Sequence, residues 1–508
     1  MTTLAEYLST QHAVPGHAPW PRVLVDESAW SIALGALASG RWSLLDLWGE
    51  PGMIHMALLD SALPYAPAIG VASLAAPDGR YQSVAQFHPP ALRLERALCD
   101  LWGVQPIGLP DTRPWIDHGA WGLRHPAGTA SIAPDTPDTP YPFLPAEGEG
   151  LHQVAVGPVH AGIIEPGHFR FTANGETVVR LELRLGYAHK GIESLLAGTP
   201  LDRAARIAGR TSGDSTVAYQ FAFARAVEAA LEIAVPPRAV YLRALMAELE
   251  RLANHLGDIG AICNDASFAL MHAHCGVLRE QVLRAAGAAF GHRLMRDAIC
   301  PGGVAGDLTE PGAAVIRTAI TEIHRRFPAL VELYDNTASL QDRTVSTGIL
   351  RPALARLYAA GGYVGRASGR DFDVRRAFPY PPYESLAFEI SLRDDGDVNA
   401  RVWVRIREVE QSVALVTRIL DSLPGGPLDV EPPHANGPRE GMAMVEGFRG
   451  DVLVWLRLDG QGNVARCRLR DPSWFQWPLL EAIVEGNIIA DFPICNKSFN
   501  CSYSGHDL

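Results

Sequence analysis

The 508-residue sequence contains no Cys-x-x-Cys motif, the commonest cysteine spacing in zinc and iron–sulfur sites. Its seven cysteines are scattered and odd in number, so they do not form the disulfide framework of a small secreted domain. The sequence also lacks the Gly-rich fingerprint that follows a strand and opens a helix in dinucleotide-binding folds. These absences exclude a disulfide scaffold and leave direct NAD binding without support.

Further absences concern location and charge. No segment approaches the roughly 18 consecutive apolar residues of a membrane span. The first segment lacks the basic end and apolar run of a secretory signal. Acidic residues outnumber basic ones by 56 to 44, a net charge of -12, which argues against a general nucleic-acid binder. We therefore expect a cytoplasmic chain that reaches a membrane only through partner proteins.

The sequence does contain enough apolar residues, 47%, for more than one hydrophobic core. A stretch rich in Pro, Thr, Asp and Gly, residues 128–150, has neither helical nor strand periodicity, and we interpret it as a linker. It separates residues 1–127, where helix and strand patterns mix, from residues 151–508. We predict that residues 1–127 form a small α+β domain.

The second region changes its pattern along the chain. Apolar and polar residues alternate on both sides of Asn174-Gly175, which predicts a β-hairpin. From Leu201 the apolar spacing is helical for about 200 residues. Within it, PPRAVYLRALMAELERLANHLGDIG predicts a helix that begins at proline and ends before Gly260. Residues 451–470 alternate again, so we expect a mainly helical domain with small peripheral β-sheets and an α+β fold overall.

Four polar clusters interrupt these patterns on loops, where functional residues concentrate. Their sequences are GPVHAGIIEPGHFRF, GYAHKGIE, RIAGRTSGDST and RASGRDFDVRRAFPYPPYE. The candidate residues in them are His160, Glu165, His168, His189, Glu193, Asp214, Asp373 and Arg375. An alternative is that these charged side chains only pair with one another and hold helices together.

These motifs, together with VPPRAVYLRALMAELERLANHLGDIG and CPGGV, resemble in the same order a known family. It contains the large subunits of membrane-bound nickel–iron hydrogenases of the formate hydrogenlyase type (group 4) and the complex I subunit that forms the quinone pocket. The segment LRLERALCDLWGVQPIGLPDTRPW resembles the small docking subunit of complex I, which formate hydrogenlyase large subunits carry fused in front. The resemblance covers most of the chain and implies the fold of these proteins.

The resemblance also shows which metal ligands the sequence lacks. In the hydrogenases, four cysteines in R-[VI]-C-G-x-C and D-P-C-x-x-C motifs hold nickel and iron. Here Ala208 and Thr211 stand at the first pair of positions, and Cys501 and Ser504 stand at the second. Because hydroxyl groups replace soft thiolates poorly, a nickel–iron centre is not expected, and only Cys495 and Cys501 remain as metal candidates. We interpret the tail as the remnant of a metal-binding site.

The donors of the complex I quinone pocket are replaced as well. Ile164 and Gly209 stand at the positions of its histidine and tyrosine, so His168 or His160 would have to serve instead.

The resemblance also implies a residue for proton transfer. Glu165 corresponds to the hydrogenase glutamate that passes protons to and from the metal, and a buried carboxyl with a raised pKa is suited to this near neutral pH.

The other candidate residues, by the same resemblance, lie around the cavity or on a proton path toward the membrane partner; these are His189, Glu193, Asp214, Asp373 and Arg375. The implied protein is a subunit of a membrane-associated, energy-converting oxidoreductase complex. It binds no firmly held cofactor of its own. Electrons pass from a 4Fe-4S cluster on a small partner subunit to a quinone or similar acceptor, coupled to proton movement.

The implied partners are that small subunit, a ferredoxin-like subunit and integral membrane subunits, without nucleic acid. They would hold the chain on the inner face of the cell membrane. Two alternatives remain open. One is a nickel–iron hydrogenase with unusual ligands, and the other is a non-catalytic scaffold that serves assembly or conformational coupling.

Overall fold

The structure is a computed structural model that describes residues 2–61, 67–128, 141–159, 164–435 and 437–508. Its α-helices are α1 (Leu4–Ser9), α2 (Glu27–Ala38), α3 (Leu92–Trp102), α4 (Ile192–Leu196), α5 (Leu201–Ala208), α6 (Thr216–Leu231), α7 (Pro237–Asp265), α8 (Ala269–Phe290), α9 (Glu310–Asn336), α10 (Ala338–Thr344), α11 (Pro352–Leu357), α12 (Gly362–Arg366), α13 (Val374–Ala377), α14 (Val398–Asp421), α15 (Ser473–Val484), α16 (Phe492–Phe499) and α17 (Tyr503–Asp507).

Its β-strands are β1 (His12–Ala13), β2 (His17–Ala18), β3 (Arg22–Val25), β4 (Ser43–Glu50), β5 (Met53–Asp60), β6 (Ala68–Ala75), β7 (Arg80–Gln82), β8 (Gln105–Ile107), β9 (Leu151–Val156), β10 (His168–Asn174), β11 (Thr177–Arg184), β12 (Ile299–Cys300), β13 (Gly303–Val304), β14 (Arg439–Gly447), β15 (Gly450–Leu458) and β16 (Val464–Arg470).

The first region has the predicted mixture of helices and strands. Its sheet has the strand order β1-β3-β6-β5-β4, in which β3 and β6 are parallel and the other pairs are antiparallel. Helix α2 begins after Asp26, whose carboxylate accepts a hydrogen bond from the Ala29 amide, and it buries Trp30. Helix α3 ends at Gly103, which has a φ of 70° that glycine adopts without strain.

The second region contains helices with small sheets before and after them. Strands β10 and β11 pair as an antiparallel hairpin around Gly175, which has a φ of 58°, so the hairpin prediction is confirmed. Helix α7 packs against α8 and α14, and α8 packs against α9. Strands β14, β15 and β16 form the sheet near the end of the chain. The α+β prediction is therefore confirmed.

The prediction for the end of helix α7 is wrong. The helix continues through Gly257 and Gly260 to Asp265. These glycines serve close packing instead: a Cβ atom on Gly260 would lie 2.9 Å from the Cβ atom of Cys275 on α8. The absence of a side chain at this position lets the two helices approach each other, so glycine here does not mark a helix end.

Residues 1–127 and 151–508 contact each other directly and are not connected through the predicted linker alone. Strand β2 pairs in parallel with β14, and Arg22 Nη1 lies 2.6 Å from Glu440 Oε1. Residues 141–150 form neither helix nor strand, and residues 129–140 of the predicted linker lie outside the described residues. Among the described residues, none of the helices combines the length and apolar composition that a membrane crossing needs.

Candidate functional site

Two chain segments meet where the resemblance places the four metal ligands, and we call this place the junction. The first segment is residues 208–215, which begin at the last residue of α5, and the second is residues 500–508, which include α17. The hydroxyl oxygens of Ser212 and Ser502 lie 3.2 Å apart and join the two segments. The fold therefore brings positions 208 and 211 into the neighbourhood of positions 501 and 504.

The side chains at the four ligand positions are a methyl group, two hydroxyl groups and one thiol. Thr211 Oγ1 donates a hydrogen bond to the Ala208 carbonyl oxygen at 2.9 Å. Cys501 is a free, buried thiol whose pKa is raised by burial. This donor set does not supply the soft thiolates that nickel requires.

Cys495 is a second buried, free thiol near the junction in sequence. It lies on α16 and packs against Gly348. Burial raises the pKa of its thiol to about 12, so the thiolate that binds metals is disfavoured. Within the described ranges, no three His, Cys, Asp or Glu side chains are grouped as a metal site requires.

Glu165 lies at the edge of the junction. Its Oε2 atom accepts a hydrogen bond of 2.9 Å from the backbone N–H of Ser504, the fourth ligand position. The sequence predicts a buried carboxyl, but the side chain is exposed because it lies on a surface segment before β10. The side chain therefore differs from the prediction in its burial.

The candidate quinone donors are His160 and His168. His160 lies outside the described residues. His168 begins β10, where its ring centre is 4.7 Å from that of Phe143, and burial is the main cause that lowers its pKa. At Gly209, a Cβ atom would lie 2.8 Å from the Cγ atom of Gln220, so the glutamine occupies space beside the position of the family tyrosine.

Asp214 is part of the junction. Its Oδ1 atom accepts hydrogen bonds from Ser212 Oγ at 2.6 Å and from Arg449 Nη1 at 2.9 Å. Burial favours the neutral acid, but the Arg449 guanidinium overcomes this effect and lowers the pKa of Asp214 to about 2. Asp214 is therefore a fixed negative charge near neutral pH.

His189 and Glu193 lie beside the tail of the junction. The Nδ1 atom of His189 is 2.7 Å from the Asp507 carbonyl oxygen. Glu193 Oε1 accepts a hydrogen bond from the Leu469 amide and lies 3.2 Å from Arg468 Nη1, while burial raises its pKa. Both residues line a cavity of about 250 Å³ between the two regions of the chain.

Asp373 and Arg375 belong to a separate group of buried charges that we call the ion network. Arg375 Nη2 lies 2.7 Å from Asp373 Oδ2, and Arg375 Nη1 lies 2.9 Å from Glu248 Oε1. The network connects α7, α12, α13, α14 and β14, and its members are Glu248, Arg251, His255, Arg366, Asp373, Arg375, Glu408 and Glu446.

Arg366 is at the centre of the ion network. Its guanidinium lies 2.8 Å from both Glu408 Oε1 and Glu446 Oε1, and 3.4 Å from Asp373 Oδ2. Burial, followed by the charge of Asp373, raises the pKa of Glu446 to about 7. Burial also opposes ionisation of Asp373, but Arg375 outweighs this effect and lowers its pKa.

Sequence reasoning missed most of the ion network, although a signal is present. Glu248, Arg251 and His255 recur at spacings of three and four residues along α7. This spacing places them on one helix face, and charged residues on a face that also carries leucines are unusual for a core helix.

Comparisons with known proteins identify the family of the chain. The family described as respiratory-chain NADH dehydrogenase, 49 Kd subunit, matches residues 268–442 and 434–507. Formate hydrogenlyase subunit 5 of Escherichia coli is 32% identical over 441 residues, which are 84% of this chain and 77% of that protein. Hydrogenase-4 component G of the same organism is 30% identical over 86% of this chain and 78% of its own length.

A third relative comes from the respiratory branch. It is a subunit of the NADH-quinone oxidoreductase of Desulfotalea psychrophila, which is 33% identical over 66% of this chain and 91% of its own length. The relatives therefore confirm the resemblance of the sequence motifs. The chain belongs to the family that unites the large subunits of group 4 hydrogenases with the corresponding subunits of NADH-quinone oxidoreductases.

Proposed function

We propose that this chain is the large subunit of a membrane-associated, energy-converting oxidoreductase complex without a nickel–iron centre. It passes electrons from a 4Fe-4S cluster on a small partner subunit to a quinone or similar acceptor, coupled to proton movement. The names of its relatives, which are a formate hydrogenlyase, a hydrogenase and an NADH-quinone oxidoreductase, support this reaction class. A ferredoxin-like subunit and integral membrane subunits complete the complex on the inner face of the cell membrane.

The observation that carries the proposal is the hydrogen bond between Glu165 and the backbone of Ser504. By resemblance, Glu165 corresponds to the carboxylate that handles protons in the hydrogenases, and it accepts a hydrogen bond at the fourth ligand position. The side chain at that position is a hydroxyl, and Thr211 uses its own hydroxyl for a local hydrogen bond. The chain has a carboxylate at the position of the proton-handling group but only one thiol at the four ligand positions. This combination favours proton-coupled electron transfer to an acceptor other than a nickel–iron centre.

The pKa values separate a carboxyl group that stays ionised near neutral pH from two carboxyl groups that can bind a proton. Asp214, with a pKa of about 2, stays ionised near neutral pH and holds Arg449 in place. Glu193 and Glu446 have raised pKa values and are suited to bind and release a proton. In the proposed function, Glu165 exchanges protons at the surface of the junction, and the half-buried Glu193 and the buried Glu446 are two of the groups that can hold a proton inside the chain.

The first test is the metal content of the complex purified from its native host after growth with nickel. We expect iron at the stoichiometry of the clusters on partner subunits and no nickel. Nickel near one atom per chain would overturn the proposal and favour a nickel–iron hydrogenase with unusual ligands. Variants of Cys495 and Cys501 would then identify its ligands.

The second test is the Glu165→Gln variant in the assembled complex. The amide can still accept the hydrogen bond from Ser504 but cannot carry a proton, so we expect proton-coupled electron transfer to fall by about 10²-fold. Glu176→Gln is the matched control, because Glu176 is an exposed carboxylate in the β10–β11 turn. Full activity of Glu165→Gln in a complex with all its subunits would contradict the proposal.

A non-catalytic scaffold is the second candidate function. It is favoured by the way the junction satisfies its own polar groups: Thr211 bonds to Ala208, and Ser502 accepts a hydrogen bond from the Gly505 amide. A scaffold predicts that Glu165→Gln leaves both assembly and electron transfer unchanged. The two candidates therefore give opposite results in the same experiment.

A further inference from the structure

The cavity between the two regions of the chain has an aromatic wall. Its volume is about 250 Å³, and it is enclosed by residues of β4 and α3 on one side and of α4, β15, β16 and α15 on the other. The tryptophans that line it are Trp48, Trp102, Trp455 and Trp474. Cavities lined by aromatic side chains with a few polar groups are the usual form of small-molecule sites.

Three of these tryptophans have an unsatisfied hydrogen-bond donor. Trp48, Trp455 and Trp474 are only 3%, 1% and 3% exposed, and none of their indole N–H groups has an acceptor among the described residues. A buried donor without a partner costs about 1–3 kcal/mol. Such groups are rare in native proteins, so three of them in one cavity wall call for an explanation.

Two buried tryptophans outside the cavity wall do not share this property. The indole N–H of Trp30 donates to the Gln82 carbonyl oxygen, and that of Trp477 donates to the Ser502 carbonyl oxygen. The unsatisfied donors are thus a feature of the cavity wall and not of buried indoles in this chain generally.

Among the described residues that line the cavity, Arg466 is a cation without a carboxylate partner. Glu50 is paired with Arg457 at 2.8 Å, and Glu193 is paired with Arg468 at 3.2 Å. Arg466 is half-buried, with its guanidinium carbon 5.8 Å from the ring centre of Trp102, and it forms no salt bridge within the described part of the chain. A ligand that carries a negative or partly negative oxygen would complement Arg466.

We propose that this cavity binds a small planar aromatic molecule that carries a carbonyl or carboxylate oxygen. Its rings would stack against the indole rings, and its oxygen would accept a hydrogen bond from an indole N–H or from Arg466. An apolar cavity of about 150 Å³ binds benzene, so a cavity of about 250 Å³ accommodates a fused two-ring molecule. The proposal does not depend on the electron acceptor of the complex.

The test is calorimetric titration of the purified complex with three probes: 2-naphthoate, 2-naphthamide and cyclohexanecarboxylate. We expect both naphthalene compounds to bind with one site per chain and to quench tryptophan fluorescence. Cyclohexanecarboxylate lacks a planar ring and should bind at least about tenfold more weakly. Failure of both naphthalene compounds to bind would overturn the proposal.

Variants place the bound probe in the cavity. Ala197→Phe introduces a ring into the cavity wall and should weaken binding of 2-naphthoate at least about tenfold. Ala273→Phe is the matched control on the exposed surface of α8 and should leave binding unchanged. If Ala197→Phe does not fold, Trp102→Leu at a half-buried position removes a stacking partner and should give the same loss.

Arg466→Gln tests the role of charge. It should weaken binding of 2-naphthoate about tenfold and leave binding of the neutral 2-naphthamide nearly unchanged. Probe binding that persists in Ala197→Phe and Trp102→Leu would place the ligand elsewhere in the complex and overturn the proposal. Equal loss of both probes in Arg466→Gln would contradict the assigned role of the guanidinium.

Discussion

The junction and the ion network are two buried polar regions of the same family fold, and they differ in charge. At the junction, the four positions of the family's metal ligands carry Ala208, Thr211, Cys501 and Ser504, none of which is charged. In the ion network, carboxylate and guanidinium groups remain buried and paired within α7, α12–α14 and β14. The junction thus holds one thiol at these positions and the ion pair of Asp214 with Arg449, whereas the ion network keeps a dense set of charges.

The two regions differ in whether a substitution leaves a buried group without a partner. A hydroxyl in place of a thiolate can form a local hydrogen bond, as Thr211 does with the Ala208 carbonyl oxygen. Removal of one member of the ion network leaves an opposite charge buried without a partner, which is far more costly. The junction can therefore change its chemistry while the fold persists, whereas the network constrains the fold.

The largest expected effect is on the free energy of unfolding of Arg366→Met. This change leaves Glu408 and Glu446 without their closest guanidinium, and both carboxylates are buried. Loss of one partner of a buried pair destabilises a protein by about 3–5 kcal/mol. Chemical denaturation of the chain measures the effect.

Arg317→Met is the matched control for this experiment. Arg317 and Asp421 form an ion pair at 2.8 Å, but their side chains are 45% and 60% exposed. Exposed pairs contribute about 0–1 kcal/mol. A loss at Arg366 as small as the loss at Arg317 would show that the network does not constrain the fold, and the comparison between the two regions would fail.

The sequence predicts features that depend on neighbouring residues, and it misses features that depend on contacts between distant parts of the chain. The alternation around Asn174-Gly175 predicts the β10–β11 hairpin because a strand pair with a short turn is encoded locally. The pairing of β2 with β14 joins residues more than 400 positions apart, and no local pattern contains it. The end of α7 was predicted wrongly because the reason for Gly260 is the neighbouring helix α8.

The candidate site shows the same limit. Motif resemblance located Glu165 and Asp214, which the fold brings to the junction. It could not reveal that Glu165 is exposed or that Asp373 and Arg375 belong to a separate network, because burial and pairing depend on tertiary contacts. The unsatisfied indole groups of the cavity likewise have no signature in the sequence.

A second prediction uses pH to examine the ion network. The pKa of Glu446 is raised from 4.5 to about 7, so the folded chain binds a proton that the unfolded chain releases between these values. Stability from this group is therefore fully present below pH 4.5 and is lost as pH rises through 7. Relative to Glu446→Gln, the wild type should lose about 1–3 kcal/mol between pH 5 and 8.

Unfolding free energies of both proteins across this pH range give the measurement. Glu446→Gln keeps the size of the side chain and an oxygen that can accept the hydrogen bond from the Val374 amide. If the unfolding free energies of the two proteins change in parallel from pH 5 to 8, Glu446 does not bind the expected proton in the folded chain. This result would also remove the reason to treat the network as a place where the chain can hold a proton.

The smallest expected effect is at the junction, in Ser212→Ala. Ser212 Oγ donates to the Asp214 carboxylate and lies 3.2 Å from Ser502 Oγ, so the variant loses one hydrogen bond to Asp214 and one contact between hydroxyl groups, while Asp214 keeps Arg449. We expect a loss of about 1 kcal/mol in the free energy of unfolding, whereas Ser422→Ala at an exposed helix end should cost less. A loss at Ser212 as large as that of Arg366→Met would mean that the junction constrains the fold as strongly as the charged network does. The local hydrogen bonds of the junction would then not explain how the family fold persists with other residues at the four ligand positions.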